Sequence, residues 1–210
     1  MTTERRQAHG LPVYTTRADV YAMLRHARTE RDALLLRALW HSGARISEIL
    51  QAHVGDVTKH GIRLINLKQG RWVKQPDGSR KHESIREEKH VLLPAEFLAE
   101  LREATRGQPP DAFIFTRLSD SRPLSRIQAW KIVTRAARDA GVLKRRFLDG
   151  ELRPPSPHKL RSGYAVLLLE NGIPITIVSD QLGHKSLAST QIYSRIVDVR
   201  KSELIAQVKF

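Results

Sequence analysis

The chain of 210 residues is long enough for one substantial core, and 36 Lys and Arg against 22 Asp and Glu give it a net charge of +14. Such a surface attracts polyanions, of which nucleic acid is the leading candidate and a membrane surface the weaker one. No stretch approaches the roughly 20 apolar residues of a membrane span. Because cysteine is absent, disulfides, thiolate nucleophiles and Cys-ligated zinc are excluded. We expect a cytoplasmic protein.

Helix caps and apolar spacing predict three helices near the start of the chain. Thr16 followed by Asp19 is typical of an N-terminal cap. Apolar residues then repeat at helical spacing over 32–41, and Gly43 is placed to end that second helix. A short third helix is expected to begin near Ser47.

From Gly61 the apolar period changes to one that indicates strands. Short apolar runs flank a long polar insert, Gln69 to Lys89, which contains the turn-forming run Pro76-Asp77-Gly78. We interpret the insert as an extended β-hairpin or a flexible loop whose basic side chains reach toward nucleic acid.

The second half of the chain is predicted to be helical. Proline, serine, glycine and asparagine mark the ends of four helices, which we expect from Pro94 to near Gly107, from Ser125 to near Gly141, from His158 to Asn171-Gly172 and from Pro174 to Gly183. A last helical segment is expected after Tyr193. The predicted fold class is α+β, mainly helical with a small antiparallel sheet.

Three short segments carry side chains that could perform chemistry. Arg45 lies between Gly43 and the short third helix. The alternative to a catalytic role is an ion pair with Glu48 on the protein surface. In His158-Lys159-Leu160-Arg161 the imidazole and the guanidinium are three residues apart, so they lie on one helical face. The start of a helix also favours a bound phosphate. The alternative is a solvent-exposed basic turn, which would have the same sequence pattern. The third segment contains Leu182-Gly183-His184 and, nine residues after the histidine, Tyr193, which alone would be read as a packing residue.

The joint order of these segments resembles the tyrosine recombinase (phage integrase) family. Its catalytic domain carries an Arg in a G-x-R-x-S-E box, then H-x-L-R, L-G-H and a Tyr nine residues later, and all four are present between Gly43 and Tyr193. The run Leu11 to Thr15 also resembles the usual entrance of that domain, so the resemblance covers about residues 11 to 200. It implies the tyrosine recombinase catalytic-domain fold.

The resemblance also implies roles for individual residues. Arg45 and Arg161 would clamp a phosphate, His158 would transfer a proton, His184 would donate a hydrogen bond in the transition state, and Tyr193 would be the nucleophile. Glu48 would support the site without reacting. Two guanidiniums suit a phosphodiester, because they can answer its growing negative charge bidentately. A metal or another cofactor is not expected.

The family also uses a lysine on a β-hairpin to protonate the leaving oxygen. Lys68 in Leu67-Lys68-Gln69-Gly70 fits that position best, with Lys74, Lys81 and Lys89 as rivals.

The sequence departs from the family at two places. Ser162 follows Arg161 where the family commonly has another histidine, which we interpret as a tuning difference. Only about ten residues, predicted to be flexible, precede the catalytic domain expected over residues 11–210, so a separate N-terminal core-binding domain is not expected. The chain would then be a naturally short member, a catalytic domain taken alone, or a half that a partner protein completes.

The implied function is a site-specific recombinase that cleaves and rejoins DNA through a 3′-phosphotyrosyl intermediate, for integration, excision, inversion or resolution. Its implied partners are double-stranded DNA, further copies of itself in a tetramer on paired sites, and a separate DNA-binding or accessory protein. It would associate with the nucleoid when bound to DNA. The alternatives are a type IB topoisomerase or telomere resolvase with the same groups, and a non-catalytic DNA-binding regulator on the same fold.

Overall fold

The computed structural model describes residues 13–145, 150–184, 190, 191 and 193, and their side chains except those at 66–72, 81–86 and 145. Its longer elements are two antiparallel strands and seven helices in this part of the chain: α1 (Arg17–Arg25), α2 (Glu30–Ser42), α3 (Ile46–Ile49), β1 (Gly61–Lys74), β2 (Arg80–Leu92), α4 (Ala95–Ala104), α5 (Arg126–Asp139), α6 (Pro157–Glu170) and α7 (Ile175–Leu182). The predicted class, mainly helical with a small antiparallel sheet, is confirmed.

The helix ends follow the local signals closely. Thr16 and Asp19 form a reciprocal capping box at the start of α1, and Ser125 forms another with Gln128 at the start of α5. Gly43 ends α2 in the left-handed conformation, with φ of 58°. These motifs satisfy backbone groups that the first and last turns of a helix leave unpaired, which is why sequence predicted them well.

Several starts differ from the prediction by one residue. Pro94 is the N-cap of α4 and not its first residue, because its ψ of 140° is extended. Conversely, α6 begins at Pro157, one residue before His158. Proline is favoured at this first position, since the missing N–H would have no partner within the helix.

The polar insert is an extended hairpin. β1 and β2 pair from Gly61↔Leu92 to Lys74↔Arg80, and the predicted Pro-Asp-Gly turn joins them. The register shifts between Asn66 and Gln69, where two residues of β1 face one of β2. Ile62, Leu64 and Val91 are buried, so the base of the hairpin belongs to the core while its polar remainder extends beyond.

A helical core surrounds α2. This helix packs against α6, and α1 packs against α5. Buried leucines from α2, α6 and α7, among them Leu36, Leu39, Leu160 and Leu182, fill the centre. The core therefore fixes the relative positions of the helices that carry the candidate site residues.

The segment that enters the domain crosses directly over α6. The Thr15 N–H donates to the Lys159 carbonyl at 3.1 Å, and a side-chain carbon at Gly163 would lie only 1.8 Å from the Thr15 carbonyl oxygen. Only glycine permits this approach at position 163. The entering segment is thus held one residue away from His158.

Two further strands of two residues each, β3 (Lys144–Arg145) and β4 (Leu152–Arg153), pair antiparallel. The sequence analysis did not predict them. Both are too short and too polar to show the alternation of apolar and polar residues that indicates a strand.

Candidate active site

Arg161 joins the segments predicted to form the site. Its side chain is buried in α6, and its guanidinium donates to two backbone carbonyls at 2.8 Å, those of Gly43 after α2 and Leu182 at the end of α7. Both carbonyls lie at helix C-termini, where the partial negative charge of the helix favours a cation. The three sequence motifs therefore meet around one guanidinium.

Arg45 is held by the buried carboxylate of Glu48. Its Nη1 donates to Glu48 Oε1 at 2.7 Å, and its backbone N–H donates to Oε2 at 2.9 Å. The Glu48 side chain is fully buried, whereas that of Arg45 keeps 24% of its exposure. The pair is consequently not the surface contact that the plain alternative suggested, and it orients Arg45 at the edge of the site.

Lys89 brings a third cation to the same carboxylate. Its Nζ lies 2.8 Å from Glu48 Oε2 and donates to the Leu182 carbonyl at 3.2 Å. Glu48 thus supplies one negative charge against the three positive charges of Arg45, Lys89 and Arg161. This excess of positive charge in a largely buried setting suits an anion such as a phosphodiester.

The pKa values of these groups reflect the crowding of charge. Burial alone would raise the pKa of Glu48, but the charge and hydrogen bonds of Lys89 and the bonds from Arg45 outweigh it and hold this pKa below its usual range. Burial, opposed by Glu48, lowers the pKa of Lys89. Burial and neighbouring Arg45 lower the pKa of Arg161 to about 10. Arg161 is therefore still charged at neutral pH.

His184 follows α7 and is neutral in this site. Burial, then the charges of Arg161, Arg45 and Lys89, lower its pKa to about 4. Its Nδ1 lies 2.8 Å from the Oγ1 of Thr190, which is completely buried. When this ring nitrogen accepts from Thr190, the proton resides on Nε2, which leaves that nitrogen as a hydrogen-bond donor.

Tyr193 is buried, and its hydroxyl lies 3.1 Å from the Oγ of Ser162. Ser162 in turn donates its hydroxyl proton to the carbonyl of His158 at 3.1 Å. Because a serine has a single hydroxyl proton, Tyr193 is the donor in their shared bond. Tyr193 also influences the pKa of Arg161, so its hydroxyl lies within the electrostatic reach of that guanidinium.

The predicted residues therefore come together with one open point. Arg45, Arg161, His184 and Tyr193 converge, and exposed His158 lies in the first turn of α6 and lowers the pKa of His184. Lys68 lies in β1 at the register shift, but its side chain is outside the described side chains, as is that of Lys81. Lys74 is exposed on the hairpin. Of these four lysines, Lys89 is the one whose described contacts reach Glu48 and Leu182 in the site.

Sequence reasoning missed two supporting residues. Ser162 was noted only as a departure from the family, and Thr190 was not singled out, yet they contact Tyr193 and His184. Their positions next to Arg161 and six residues after His184 were the available signals. Among the described residues, no group of three His, Asp or Glu side chains is placed to hold a metal ion. Within the same residues, no helix has the length and apolar character to cross a membrane.

The described fold agrees with comparisons to known proteins. The model of the phage integrase family matches residues 14–199, and the chain belongs to this family. It is 33% identical over 168 residues to tyrosine recombinase XerD of Corynebacterium glutamicum, covering 79% of this chain and 48% of the relative. It is 28% identical to tyrosine recombinase XerA of Pyrococcus furiosus, covering 83% of this chain and 54% of the relative. The chain thus spans about half the length of these relatives.

Solved structures share the fold at low sequence identity. The crystal structure of XerA recombinase superposes with a TM-score of 0.67 at 20% identity, covering 100% of this chain and 68% of that one. A post-cleavage complex of XerH recombinase with palindromic difH substrate gives 0.63 at 20% identity, covering 94% of this chain and 53% of that one. A lambda integrase dimer bound to a COC′ core site gives 0.61 at 20%, covering 86% and 47%. The predicted catalytic-domain fold is confirmed.

Proposed function

We propose that this chain is the catalytic domain of a site-specific DNA recombinase that acts through a covalent 3′-phosphotyrosyl bond to Tyr193. The observation that carries the proposal is that Arg161 lies close enough to both Arg45 and Tyr193 for each to influence its pKa, while the Tyr193 hydroxyl bonds to Ser162, the residue next to Arg161. A nucleophile and a two-guanidinium phosphate site in one place are what this reaction requires.

In the proposed reaction, the Tyr193 oxygen attacks the phosphorus of a backbone phosphodiester. The new bond from this oxygen to phosphorus forms as the bond to the 5′ oxygen breaks, and the phenolic proton is lost while the 5′ hydroxyl gains one. Arg45 and Arg161 stabilise the charge on the non-bridging oxygens. Rejoining reverses these steps with another 5′ hydroxyl and needs no ATP.

The other groups have supporting parts in this scheme. His184, neutral with a proton on Nε2, would donate a hydrogen bond to a non-bridging oxygen, and His158 would accept the proton of Tyr193. Lys68, on the hairpin, would bring a proton to the leaving oxygen. Lys68 is proposed from the family pattern.

Duplex DNA is the proposed substrate. The net charge of +14 suits a polyanion, and the similar structures include a recombinase with its DNA substrate and an integrase dimer on a core site. By analogy we propose self-association on paired sites as a tetramer, at the nucleoid in the cytoplasm, with integration, excision, inversion or resolution as the outcome. The 11–210 catalytic domain would gain further DNA contacts from a separate DNA-binding or accessory protein.

The test begins with a duplex selected by the wild-type chain from a randomised pool, then nicked near the cleavage position so that the cut strand cannot be rejoined. We expect an SDS-resistant protein–DNA adduct with the wild type and none with Tyr193→Phe, which should still bind the duplex because only the nucleophilic oxygen is removed. An adduct that persists in Tyr193→Phe would mean a different nucleophile. Binding without any wild-type adduct would favour the regulator, and relaxation of supercoils without site preference would favour the topoisomerase.

A further inference from the structure

Lys89 differs from the other hairpin lysines in being largely buried. Its side chain keeps 12% of its exposure and reaches away from the hairpin to two partners on other elements. One is the Glu48 carboxylate in α3 and the other is the Leu182 carbonyl at the end of α7. A buried ammonium with both a carboxylate and a carbonyl as acceptors is a fixed structural group.

These two partners are the same groups that orient the phosphate clamp. Glu48 accepts from Arg45 as well as from Lys89, and the Leu182 carbonyl accepts from Arg161 as well as from Lys89. Lys89 therefore shares one hydrogen-bond acceptor with Arg45 and another with Arg161. A displacement of Lys89 would change the acceptor geometry of both guanidiniums at once.

The base of the hairpin is fixed to α7 by a second contact next to the first. Gln181 donates to the Leu92 carbonyl at 2.7 Å and accepts from the Leu92 N–H at 3.1 Å. Gly183 lies directly under Lys89, since a side-chain carbon there would be 2.9 Å from the lysine Cδ. His184 is the next residue. Lys89 and Gln181 together thus set the position from which His184 enters the site.

We propose that Lys89 is a positioning residue of this active site, which holds Glu48 and the Leu182 carbonyl in place and thereby aims Arg45 and Arg161 at one phosphate without itself donating a proton. The inference rests on the proposed function. Two lysines of the hairpin then have different roles: Lys89 positions the arginines, and Lys68 is the candidate donor of the leaving-group proton.

The test compares single-turnover cleavage of the nicked duplex with cleavage of the same duplex carrying a 5′-bridging sulfur. A thiolate leaves without a proton, so the sulfur substrate rescues the loss of a general acid but not the loss of positioning. The variants are Lys89→Met, Lys89→Arg, Glu48→Gln and the double variant Glu48→Gln/Lys89→Met, with Lys59→Met as an exposed-lysine control and Lys68→Ala as the candidate acid.

We expect Lys89→Met to bind the duplex like the wild type but to cleave both substrates more slowly by a similar factor, on the order of 100-fold, as for other small displacements of catalytic groups. Lys89→Arg should recover part of the rate. The double variant should be slower than the wild type by less than the product of the two single effects, because Lys89 acts on Arg45 through Glu48. Lys59→Met should match the wild type.

Restoration of Lys89→Met by the sulfur substrate would overturn the proposal and make Lys89 the general acid. A wild-type rate in Lys89→Met, or a double variant slower by the product of the two single effects, would also overturn it. Thermal melts check folding, and if Lys89→Met does not fold, Lys89→Arg and the double variant give the same comparison. Failure of the wild type to form any adduct would instead count against the proposed function itself.

Discussion

Replacing Glu48 with glutamine removes a negative charge from the centre of the site while keeping the shape of the side chain. The carboxylate accepts three hydrogen bonds, two from Arg45 and one from Lys89, at 2.7 to 2.9 Å. An amide has one acceptor oxygen, so in either orientation its NH₂ group faces at least one donor. Each bond that involves a charged group contributes about 1.5–3 kcal/mol.

Loss of the carboxylate also leaves Lys89 close to Arg45 and Arg161 without an opposing charge. Breaking a buried pair costs about 3–5 kcal/mol, and because the Glu48 side chain is fully buried, solvent screening does not reduce this cost. With roughly 2–4 °C per kcal/mol for a chain of this size, Glu48→Gln should lower the melting temperature by on the order of 10 °C. Typical stabilities of about 5–15 kcal/mol leave the variant folded.

The assay is urea unfolding of the wild type, Glu48→Gln and a matched control, Glu103→Gln. Glu103 pairs with Arg106 on α4, but its side chain is 61% exposed, so its loss should cost less than about 1 kcal/mol. A loss of less than about 1 kcal/mol in Glu48→Gln would refute the reasoning, since the shared carboxylate would then not stabilise the cations around it.

Four further predictions concern other parts of the site. Ser162→Ala and Tyr193→Phe should each lower the unfolding free energy by about 1 kcal/mol or more, and the double variant should lower it by less than the sum of the two, because they share one hydrogen bond; additive losses in urea unfolding would contradict this. The folded pKa of His184 is about 4, below its ordinary 6.5, so the stability it contributes is complete above the ordinary value and is lost as pH falls toward the folded one. Urea unfolding of His184→Gln should therefore show a shallower decline with acid than the wild type. Adduct formation should survive EDTA, and rescue of a chelated enzyme specifically by magnesium would contradict that. The segment predicted to be helical after Tyr193 is expected to dock on a neighbouring copy in the proposed tetramer, so deletion from Arg200 onward should leave binding to a single site but impair strand exchange; unimpaired exchange would remove this segment from the mechanism.

Sequence predicted the parts of this molecule that depend on neighbouring residues. Thr16, Ser125, Gly43 and Gly183 mark helix ends by local hydrogen bonding and backbone conformation, and each marks an end in the structure. The hairpin was one of the two interpretations of the polar insert, the other being a flexible loop, and the paired strands decide between them. The segments carrying Arg45, Arg161 and His184 were identified by their order along the chain, and the fold brings them together.

The remaining features depend on residues distant in sequence. Arg161 finds its acceptors 118 and 21 residues away, and no local pattern encodes which backbone carbonyls a guanidinium will meet. The burial of Lys89 depends on strand register, because it pairs with Leu64 at the base of the hairpin. A shift of one residue would turn its side chain to the opposite face. The last segment of the chain, 194–210, lies outside the described residues, so its predicted helix stays a prediction.

The hydrogen bond from Thr15 to Lys159 gives protein engineers a specific attachment point. A DNA-reading module fused ahead of Tyr14 would pull on a backbone that is bonded within one residue of His158 and pressed against Gly163. Tension or torsion in a short linker would therefore be delivered to the first turn of α6, whereas a long glycine-rich linker would dissipate it. Linker length is thus expected to determine how strongly such a module perturbs the first turn of α6.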